Sequence, residues 1–304
     1  MASPETPAGT FTDDKVDNFN ENDDKTEGHF TNENGYKIFC KYWCRDVNSP
    51  RGLVFMSHGA GEHCLYYGEL AELLKLRGLF VFSHDHQGHG QSGGPRMHIT
   101  DIRHYVRDVF YHIEMVKKKY PNLPVFLIGH SMGGAISILS GFDHPDYFAG
   151  IVLISPAVTP QQDTVGPVRI FFGKLLARVF PQFPVLWLND ADISRDKAVC
   201  QKYKDDPLNY HGGLKAKWAL SLLLALQEIE KKLSTVKWPF FVLHGDADKI
   251  VNSKGSVALY SEAASVDKTI KIYPGSYHQP HFDIEPVASE SRQDIIEWVV
   301  KRLP

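Results

Sequence analysis

A serine flanked by glycines, Gly129-His130-Ser131-Met132-Gly133, separates an apolar run from a helix-like stretch. The run before it, Val125–Ile128, is continuously apolar, as expected of a strand that is buried on both faces. The stretch from Met132 onward predicts a helix, and the glycines allow a sharp turn between the two elements. A buried strand, a sharp turn and a helix in this order are typical of a layered α/β fold.

The pattern after Gly28 repeats this alternation of short apolar runs and longer amphipathic ones. The runs predict strands at Tyr36–Trp43, Gly52–Ser57, Leu79–Ser83, Gly150–Ile154, Phe240–His244 and Thr269–Tyr273, and helices at Leu65–Arg77, Asp101–Lys119 and Ile284–Arg302. We therefore predict an α/β fold with a mostly parallel central sheet and helices on both faces, formed by residues 29–155 and 239–304.

The alternation stops between Ser155 and Trp238, and we interpret residues 156–238 as an inserted helical cap, or lid. One stretch of it, Val168–Phe180, is rich in large apolar residues with Arg169, Lys174 and Arg178 interspersed. Two interpretations stay open for this stretch. It is either the buried core of the cap or an apolar face that lies on a membrane or admits lipid.

The amino-terminal segment, residues 1–28, holds eight acidic residues against two lysines and almost no apolar residue. Such a segment buries too little surface to offset its ordering entropy, so we expect a flexible acidic tail. The whole chain has a formal net charge of −3, with 33 basic and 36 acidic residues. Because basic residues are not in excess, nothing in the charge of the chain predicts a nucleic-acid partner.

The start MASPETPAGTF lacks the basic and apolar regions of a secretory signal peptide. The long uncharged run at Tyr120–Phe142 is interrupted by the glycine-rich turn, so we expect no transmembrane helix. The few cysteines match neither a disulfide framework nor a zinc motif, and we expect free thiols at Cys40, Cys44, Cys64 and Cys200. A cytosolic location follows.

The glycine-flanked turn fits the G-x-S-x-G pattern, in which Ser131 would be a nucleophile raised above the sheet. In this fold the acid and then the base follow in chain order. The loop after the strand Phe240–His244 offers Asp246 and Asp248, and we favour Asp248 because its spacing turns it back toward the site. The loop after the last strand offers His278 and His281, and we favour His278 as the first of the two.

An oxyanion hole needs a second N–H from the loop after an early strand. The segment Ser57–His63 follows such a strand, and its glycines allow close approach of the backbone. We predict the N–H groups of Ala60 and Met132 as the donors, with Glu62 and His63 shaping the loop. No ligand spacing supports a metal site, and no cofactor is predicted.

Six blocks in order carry a family resemblance: His58–His63, His84–Ser92, Gly129–Gly134, Leu153–Pro156, Ala247-Asp248 and Tyr277-His278. In these blocks the chain resembles the monoacylglycerol lipases of the α/β-hydrolase superfamily. The resemblance implies hydrolysis of monoacylglycerols, such as 2-arachidonoylglycerol, to glycerol and a free fatty acid by a peripheral membrane enzyme without a metal. It assigns nucleophile, acid and base to Ser131, Asp248 and His278, and oxyanion donors to Ala60 and Met132.

The resemblance also implies contacts with the glycerol end of the substrate at Glu62, Tyr203 and His281. The chain departs from the vertebrate members at positions that matter for the site. Tyr210, Lys217 and Val251 stand where those members carry cysteines, and Tyr66 stands in place of an arginine. These departures put thiol-directed inhibition and some contacts with the polar head in doubt, but not the triad.

Other functions remain open at this point. A lysophospholipase or a broad-specificity carboxylesterase would use the same triad, because the geometry of the cap decides the head group. A non-catalytic ligand-binding relative would keep only the scaffold. Peripheral membrane contact through the cap is expected, and the oligomeric state is left open between monomer and homodimer.

Overall fold

The computed structural model describes residues 16–17, 26–43, 49–160 and 167–304. Its strands are β1 (Val16–Asp17), β2 (Glu27–Thr31), β3 (Lys37–Trp43), β4 (Gly52–Ser57), β5 (Leu79–His84), β6 (Val125–His130), β7 (Gly150–Ile154), β8 (Pro184–Leu186), β9 (Leu214–Lys215), β10 (Phe240–Gly245) and β11 (Lys268–Tyr273). Its helices are α1 (Gly68–Lys75), α2 (Arg103–Lys119), α3 (Met132–Asp143), α4 (Pro167–Val179), α5 (Lys197–Asp205), α6 (Ala216–Lys232), α7 (Lys254–Glu262) and α8 (Val287–Val300).

The central sheet has nine strands within the described residues, in the order β1-β2-β3-β5-β4-β6-β7-β10-β11. From β5 to β11 all neighbours are parallel. The edge strands β1, β2 and β3 pair antiparallel with their neighbours. Because the parallel strands share one direction, the loops after β4, β6, β10 and β11 meet at one edge of the sheet.

The core lies on both faces of this sheet, as β4 illustrates. Leu53 and Phe55 point to the face that is covered by α2 and α3, whereas Val54 and Met56 point to the face covered by α1 and α8. All four side chains are buried. A strand that is covered on both sides needs apolar residues at every position, which explains the continuous apolar runs in the sequence.

The predicted fold class is confirmed, and Gly52–Ser57 and Gly150–Ile154 have the predicted bounds. Other elements differ at their ends. The helix expected over Leu65–Arg77 begins as a 3-10 turn at Cys64–Tyr67, and the last helix starts at Val287 rather than at Ile284. Strand β2 and helix α7 were not predicted, because β2 is short and polar and α7 lacks a clear apolar stripe.

The described part of residues 156–238, the cap segment, contributes no strand to the central sheet; β8 and β9 form a separate pair. The division into core, cap and tail stays a prediction. Residues 1–15 and 18–25 of the tail, and Cys44, lie outside the described residues. Cys40, Cys64 and Cys200 are free thiols. No helix in the described ranges is both long and apolar enough to span a bilayer.

Candidate active site

Ser131 lies in the turn between β6 and α3, with backbone angles φ of 53° and ψ of −115°. A positive φ is strained for a residue with a side chain and persists only where the surroundings enforce it. Here the backbone N–H of Ser131 donates to the carbonyl oxygen of Ile154 over 3.0 Å, which ties the turn to β7. This geometry, at the carboxyl edge of a parallel sheet, is typical of a nucleophilic serine.

Two glycines permit the turn because other chain segments approach them closely. A Cβ atom on Gly129 would lie 2.3 Å from the carbonyl oxygen of Gly133, and one on Gly133 would lie 2.1 Å from the carbonyl oxygen of Ser57. Both distances are far inside van der Waals contact. The backbones of β4, β6 and α3 therefore pack directly against each other below the serine.

His278 and Asp248 follow the neighbouring strands β11 and β10 and meet beside this turn. Nδ1 of His278 lies 2.7 Å from Oδ2 of Asp248. The other carboxylate oxygen, Oδ1, accepts the backbone N–H groups of Ile250 at 2.8 Å and Val251 at 2.9 Å. The loop thus fixes the carboxylate, and the carboxylate fixes the imidazole ring.

The electrostatics of this pair favour the charge states of a resting triad. Burial lowers the pKa of His278 below its ordinary value, although Asp248 beside it acts in the opposite direction. Burial opposes ionisation of Asp248, but His278 and hydrogen bonds from His244 and His278 hold the pKa of the carboxyl well below its usual range. At neutral pH the base is therefore free to accept a proton from a nucleophile.

The turn after β4 is held by hydrogen bonds at Gly59. Nδ1 of His58 lies 2.8 Å from the carbonyl oxygen of Gly59, and Nε2 accepts the backbone N–H of His86 over 2.9 Å. Burial lowers the pKa of His58, so the ring is neutral and its proton is on Nδ1. Because the Gly59 carbonyl and the Ala60 N–H share one trans peptide plane, His58 also fixes the direction of that N–H.

The second predicted oxyanion donor, Met132, is the first residue of α3. The N–H groups in the first turn of a helix have no intrahelical acceptor, and they lie at the positive end of the helix dipole. Ala60, on the loop after β4, lines one cavity together with Ser131, and Met132 follows Ser131 in the chain. Such a pair can stabilise an oxyanion.

Glu62 holds this loop through a network of buried hydrogen bonds. Its Oε2 accepts the backbone N–H of Gly59 over 2.8 Å and the hydroxyl of Tyr67, and lies 3.2 Å from Nδ1 of His130. Its Oε1 accepts Nε2 of Gln279 over 2.7 Å. Although burial acts against ionisation, His130 and these hydrogen bonds hold the pKa of Glu62 well below its usual range.

A cavity opens above the nucleophile, between the core and the cap segment. It is lined by Ala60, Glu62, Ser131, Ile250, His278 and Gln279 from the core and by Leu188, Asp190, Ile193 and Tyr203 from the cap segment. Serine, base and one predicted oxyanion donor thus face the same space. Its walls combine aliphatic side chains with carboxylate, amide and phenol groups, as an amphipathic ester would require.

Comparison with known proteins agrees with this geometry. Residues 48–285 match the family Hydrolase_4, described as serine aminopeptidase, S33. The monoglyceride lipase of Rattus norvegicus is 41% identical over 275 residues, which cover 90% of each chain. The chain belongs to the monoglyceride lipase family. It is therefore a carboxylic ester hydrolase with a serine nucleophile.

Solved structures of monoacylglycerol lipases have the same architecture as this protein. The crystal structure of the Paleococcus ferrophilus monoacylglycerol lipase aligns with a TM-score of 0.77 and 30% identity, covering 87% of this chain and 99% of that one. A soluble variant of the Saccharomyces cerevisiae monoglyceride lipase, in complex with a substrate analog, aligns with a TM-score of 0.78 and 25% identity, covering 89% and 93%.

The three residues that were predicted to contact the substrate lie in different places in this protein. Glu62 lines the cavity, but its carboxylate is already bonded to the protein. Tyr203 lines the same cavity from the cap segment. His281 is fully buried, stacks on Tyr67 at 5.7 Å between ring centroids, and is not among the residues that line the cavity.

The structure also shows the contacts of Asp246 and His281, the residues that the sequence offered as alternative acid and base. Oδ1 of Asp246 accepts the backbone N–H of Gly275 over 2.6 Å and so ties the loop after β10 to the turn after β11. Neither ring nitrogen of His281 has a hydrogen-bond partner among the described residues. Within these same ranges, no group of three or more His, Cys, Asp or Glu side chains is placed to hold a metal ion.

Sequence reasoning missed Gln279, which lines the cavity directly after the base. Its amide nitrogen donates to Glu62, and its amide oxygen accepts the hydroxyl of Tyr66 over 3.0 Å. Tyr66, the position where the family resemblance leads one to expect arginine, therefore holds the amide of a residue that lines the cavity. Only the proximity of Gln279 to His278 in the chain could have pointed to this role.

The cap segment is bonded directly to the loop that carries the base. The carbonyl oxygen of Ile193 accepts the backbone N–H of Gln279 over 2.9 Å. Nε of Arg195 lies 3.0 Å from both carboxylate oxygens of Asp283 on the same loop. The cap segment, which forms one wall of the cavity, is thus hydrogen-bonded to the residue directly after His278.

Proposed function

We propose that the protein hydrolyses monoacylglycerols to glycerol and a free fatty acid through an acyl-enzyme on Ser131. The observation that carries the proposal is the cavity in which Ser131 and His278 face both aliphatic and polar side chains. A monoacylglycerol has one ester between an aliphatic chain and a polar diol, so it matches such walls. The names of the relatives given above point to the same substrate class.

In the first half of the reaction, Nε2 of His278 takes the hydroxyl proton of Ser131 while Oγ attacks the ester carbonyl carbon. The N–H groups of Ala60 and Met132 stabilise the negative charge on the carbonyl oxygen. The bond between the acyl carbon and the glycerol oxygen then breaks. His278 returns its proton to that oxygen, and glycerol leaves.

In the second half, His278 takes a proton from water, which attacks the acyl carbon of the ester on Ser131. The bond to Oγ breaks, and His278 returns the proton to the serine. Asp248 remains ionised throughout and keeps Nδ1 protonated, so that Nε2 is free to exchange protons. No redox partner or external acid is needed.

The polar wall is suited to the glycerol end of the substrate. Gln279 and Tyr203 present an amide and a phenol to the cavity, and Asp190 adds a carboxylate. The cavity is also lined by Leu188, Ile193 and Ile250, which offer aliphatic surface to the acyl chain. Each buried methylene contributes about 0.8 kcal/mol, so turnover should depend on chain length. 2-Arachidonoylglycerol is among the substrates that we propose.

We further propose that the protein is cytosolic and docks peripherally on membranes through the cap segment. Large apolar side chains are exposed there, including Leu175, Val179, Phe180, Phe183, Leu186 and Trp187. Soluble proteins rarely expose so many large apolar residues within one short segment without a partner. A lipid surface would cover them and would supply substrate near the cavity.

Co-sedimentation with phosphatidylcholine vesicles tests the membrane contact. The double variant Leu175→Ser, Trp187→Ser should lose most vesicle binding. The matched control is Leu76→Ser, which removes an apolar side chain that is 75% exposed but lies outside the cap segment. Equal binding by the double variant and the control would exclude docking through the cap.

The hydrolytic reaction is tested by measuring glycerol and fatty-acid release from 2-monooleoylglycerol, with Ser131→Ala beside the parent protein. Ser131-dependent release should be rapid, and the variant should lose several orders of magnitude in rate. Lysophosphatidylcholine serves as a competing substrate. Preferential cleavage of this lysolipid would keep the mechanism but overturn the substrate class, whereas turnover by Ser131→Ala would overturn both.

A further inference from the structure

A second histidine is bonded to the catalytic carboxylate. His244, the fifth residue of β10, is fully buried, and its Nε2 lies 3.0 Å from Oδ2 of Asp248. This is the same oxygen that lies 2.7 Å from Nδ1 of His278. The mechanism above makes no use of His244.

The partners of His244 determine where its proton lies. Asp248 is an ionised acceptor, and the carbonyl oxygen of Val251, 3.1 Å from the same Nε2, can only accept. Nε2 must therefore carry hydrogen and donate. Nδ1 lies 2.7 Å from Oγ of Ser256 on α7, so the serine hydroxyl can donate to the opposite side of the ring.

We propose that His244 is a positioning residue for the reaction: its Nε2–H holds Oδ2 of Asp248 in line with Nδ1 of His278. This inference rests on the proposed triad of Ser131, His278 and Asp248. The backbone N–H groups of Ile250 and Val251 hold the carboxylate of Asp248 through Oδ1, and neither of them contacts Oδ2. The bond from His244 restrains the oxygen that the base uses.

The shared oxygen also has an electrostatic consequence. Two N–H groups divide the negative charge of one oxygen, so the attraction between Asp248 and protonated His278 is weaker than it would be with one donor. The titratable groups that face His278 are Asp248, His130, His244 and His281. Loss of the donor at His244 should therefore make His278 a stronger base.

Three substitutions separate positioning from simple packing. His244→Gln places an amide N–H close to the position of Nε2 and should retain the bond to Asp248. His244→Asn places its amide near Nδ1 instead and should lose that bond while keeping a polar contact with Ser256. His244→Leu removes both contacts.

The experiment measures kcat and KM on 2-monooleoylglycerol, with active sites counted by end-point labelling with a fluorophosphonate so that misfolded protein is not counted. His244→Asn and His244→Leu should lower kcat about 10- to 100-fold, as expected for loss of a hydrogen bond to a charged group, with KM within about twofold. His244→Gln should stay within about threefold of the parent.

The pH profile gives the second readout. In His244→Asn, the acidic limb of kcat/KM should move to higher pH, because protonated His278 is stabilised by a carboxylate with one donor fewer. His244→Gln should keep the parent profile. If all three variants kept the kcat of the parent and the acidic limb of its kcat/KM profile, the inference would be overturned, even if their Tm were lower. Turnover by Ser131→Ala would instead remove the triad on which it rests.

Discussion

Oε2 of Glu62 accepts the backbone N–H of Gly59 over 2.8 Å, so a buried carboxylate holds the peptide next to the predicted oxyanion donor. Glu62→Gln should lower kcat about 100-fold, because an amide cannot accept from Gly59, Tyr67 and Gln279 together and Ala60 N–H would lose its direction. The measurement is kcat per titrated active site. A control is Glu69→Gln, a carboxylate that is 58% exposed on α1. An unchanged kcat in Glu62→Gln would show that the loop keeps its shape without this charge.

The backbone contact beneath the nucleophile predicts a strong steric effect. A Cβ atom on Gly133 would meet the carbonyl oxygen of Ser57 at 2.1 Å, so Gly133→Ala should yield little folded, active protein. Gly173→Ala on α4 is the matched control, since a Cβ atom there meets nothing within 4 Å. That control should be neutral or more stable by about 0.5–1 kcal/mol from helix propensity. The measurements are the soluble yield and the Tm of both variants and of the parent protein. A stable and active Gly133→Ala variant would contradict the described packing.

Local patterns were sufficient to predict the parallel strands of the central sheet and to propose a triad. Helices cover both faces of the strands β4 and β7, so these strands form continuous, mostly apolar runs. The ends of the runs predicted the ends of the strands. The order of serine, acid and base along the chain, together with the loops after β10 and β11, was sufficient to select Asp248 and His278. Each of these features depends on residues that are close in sequence.

Features that depend on distant contacts were not predicted. The bond between Gln279 and Glu62 joins positions that are 217 residues apart, and neither residue has a local pattern that indicates the other. Strand β2 is short and polar and exists by pairing with β3. The stacking of His281 on Tyr67 likewise follows from the packing of two 3-10 turns that are distant in sequence. Such contacts require the tertiary structure.

The environment of His278 predicts the pH dependence of the reaction. Burial lowers the pKa of this histidine, and the base is active only when deprotonated. The acidic limb of kcat/KM should therefore have its midpoint below about 6.5, the ordinary imidazole pKa, with a plateau at neutral pH. The check is kcat/KM on a soluble p-nitrophenyl ester between pH 4.5 and 8, with circular dichroism to show that the protein stays folded. A midpoint above 7 would contradict this electrostatic environment.

Asp108 on α2 predicts a change of stability with pH. Burial raises the pKa of this carboxyl to about 6, and its Oδ2 accepts Nδ2 of Asn32 over 2.8 Å. Between about pH 4 and 6 the folded protein holds a proton that the unfolded chain has lost, so this group makes stability fall as pH rises. Asp108→Asn keeps the acceptor without the charge. It should raise the free energy of unfolding in urea by up to about 3 kcal/mol at pH 7.5 but much less at pH 4.5. Exposed Asp146→Asn is the control, and an equal gain for Asp108→Asn at both pH values would contradict the prediction.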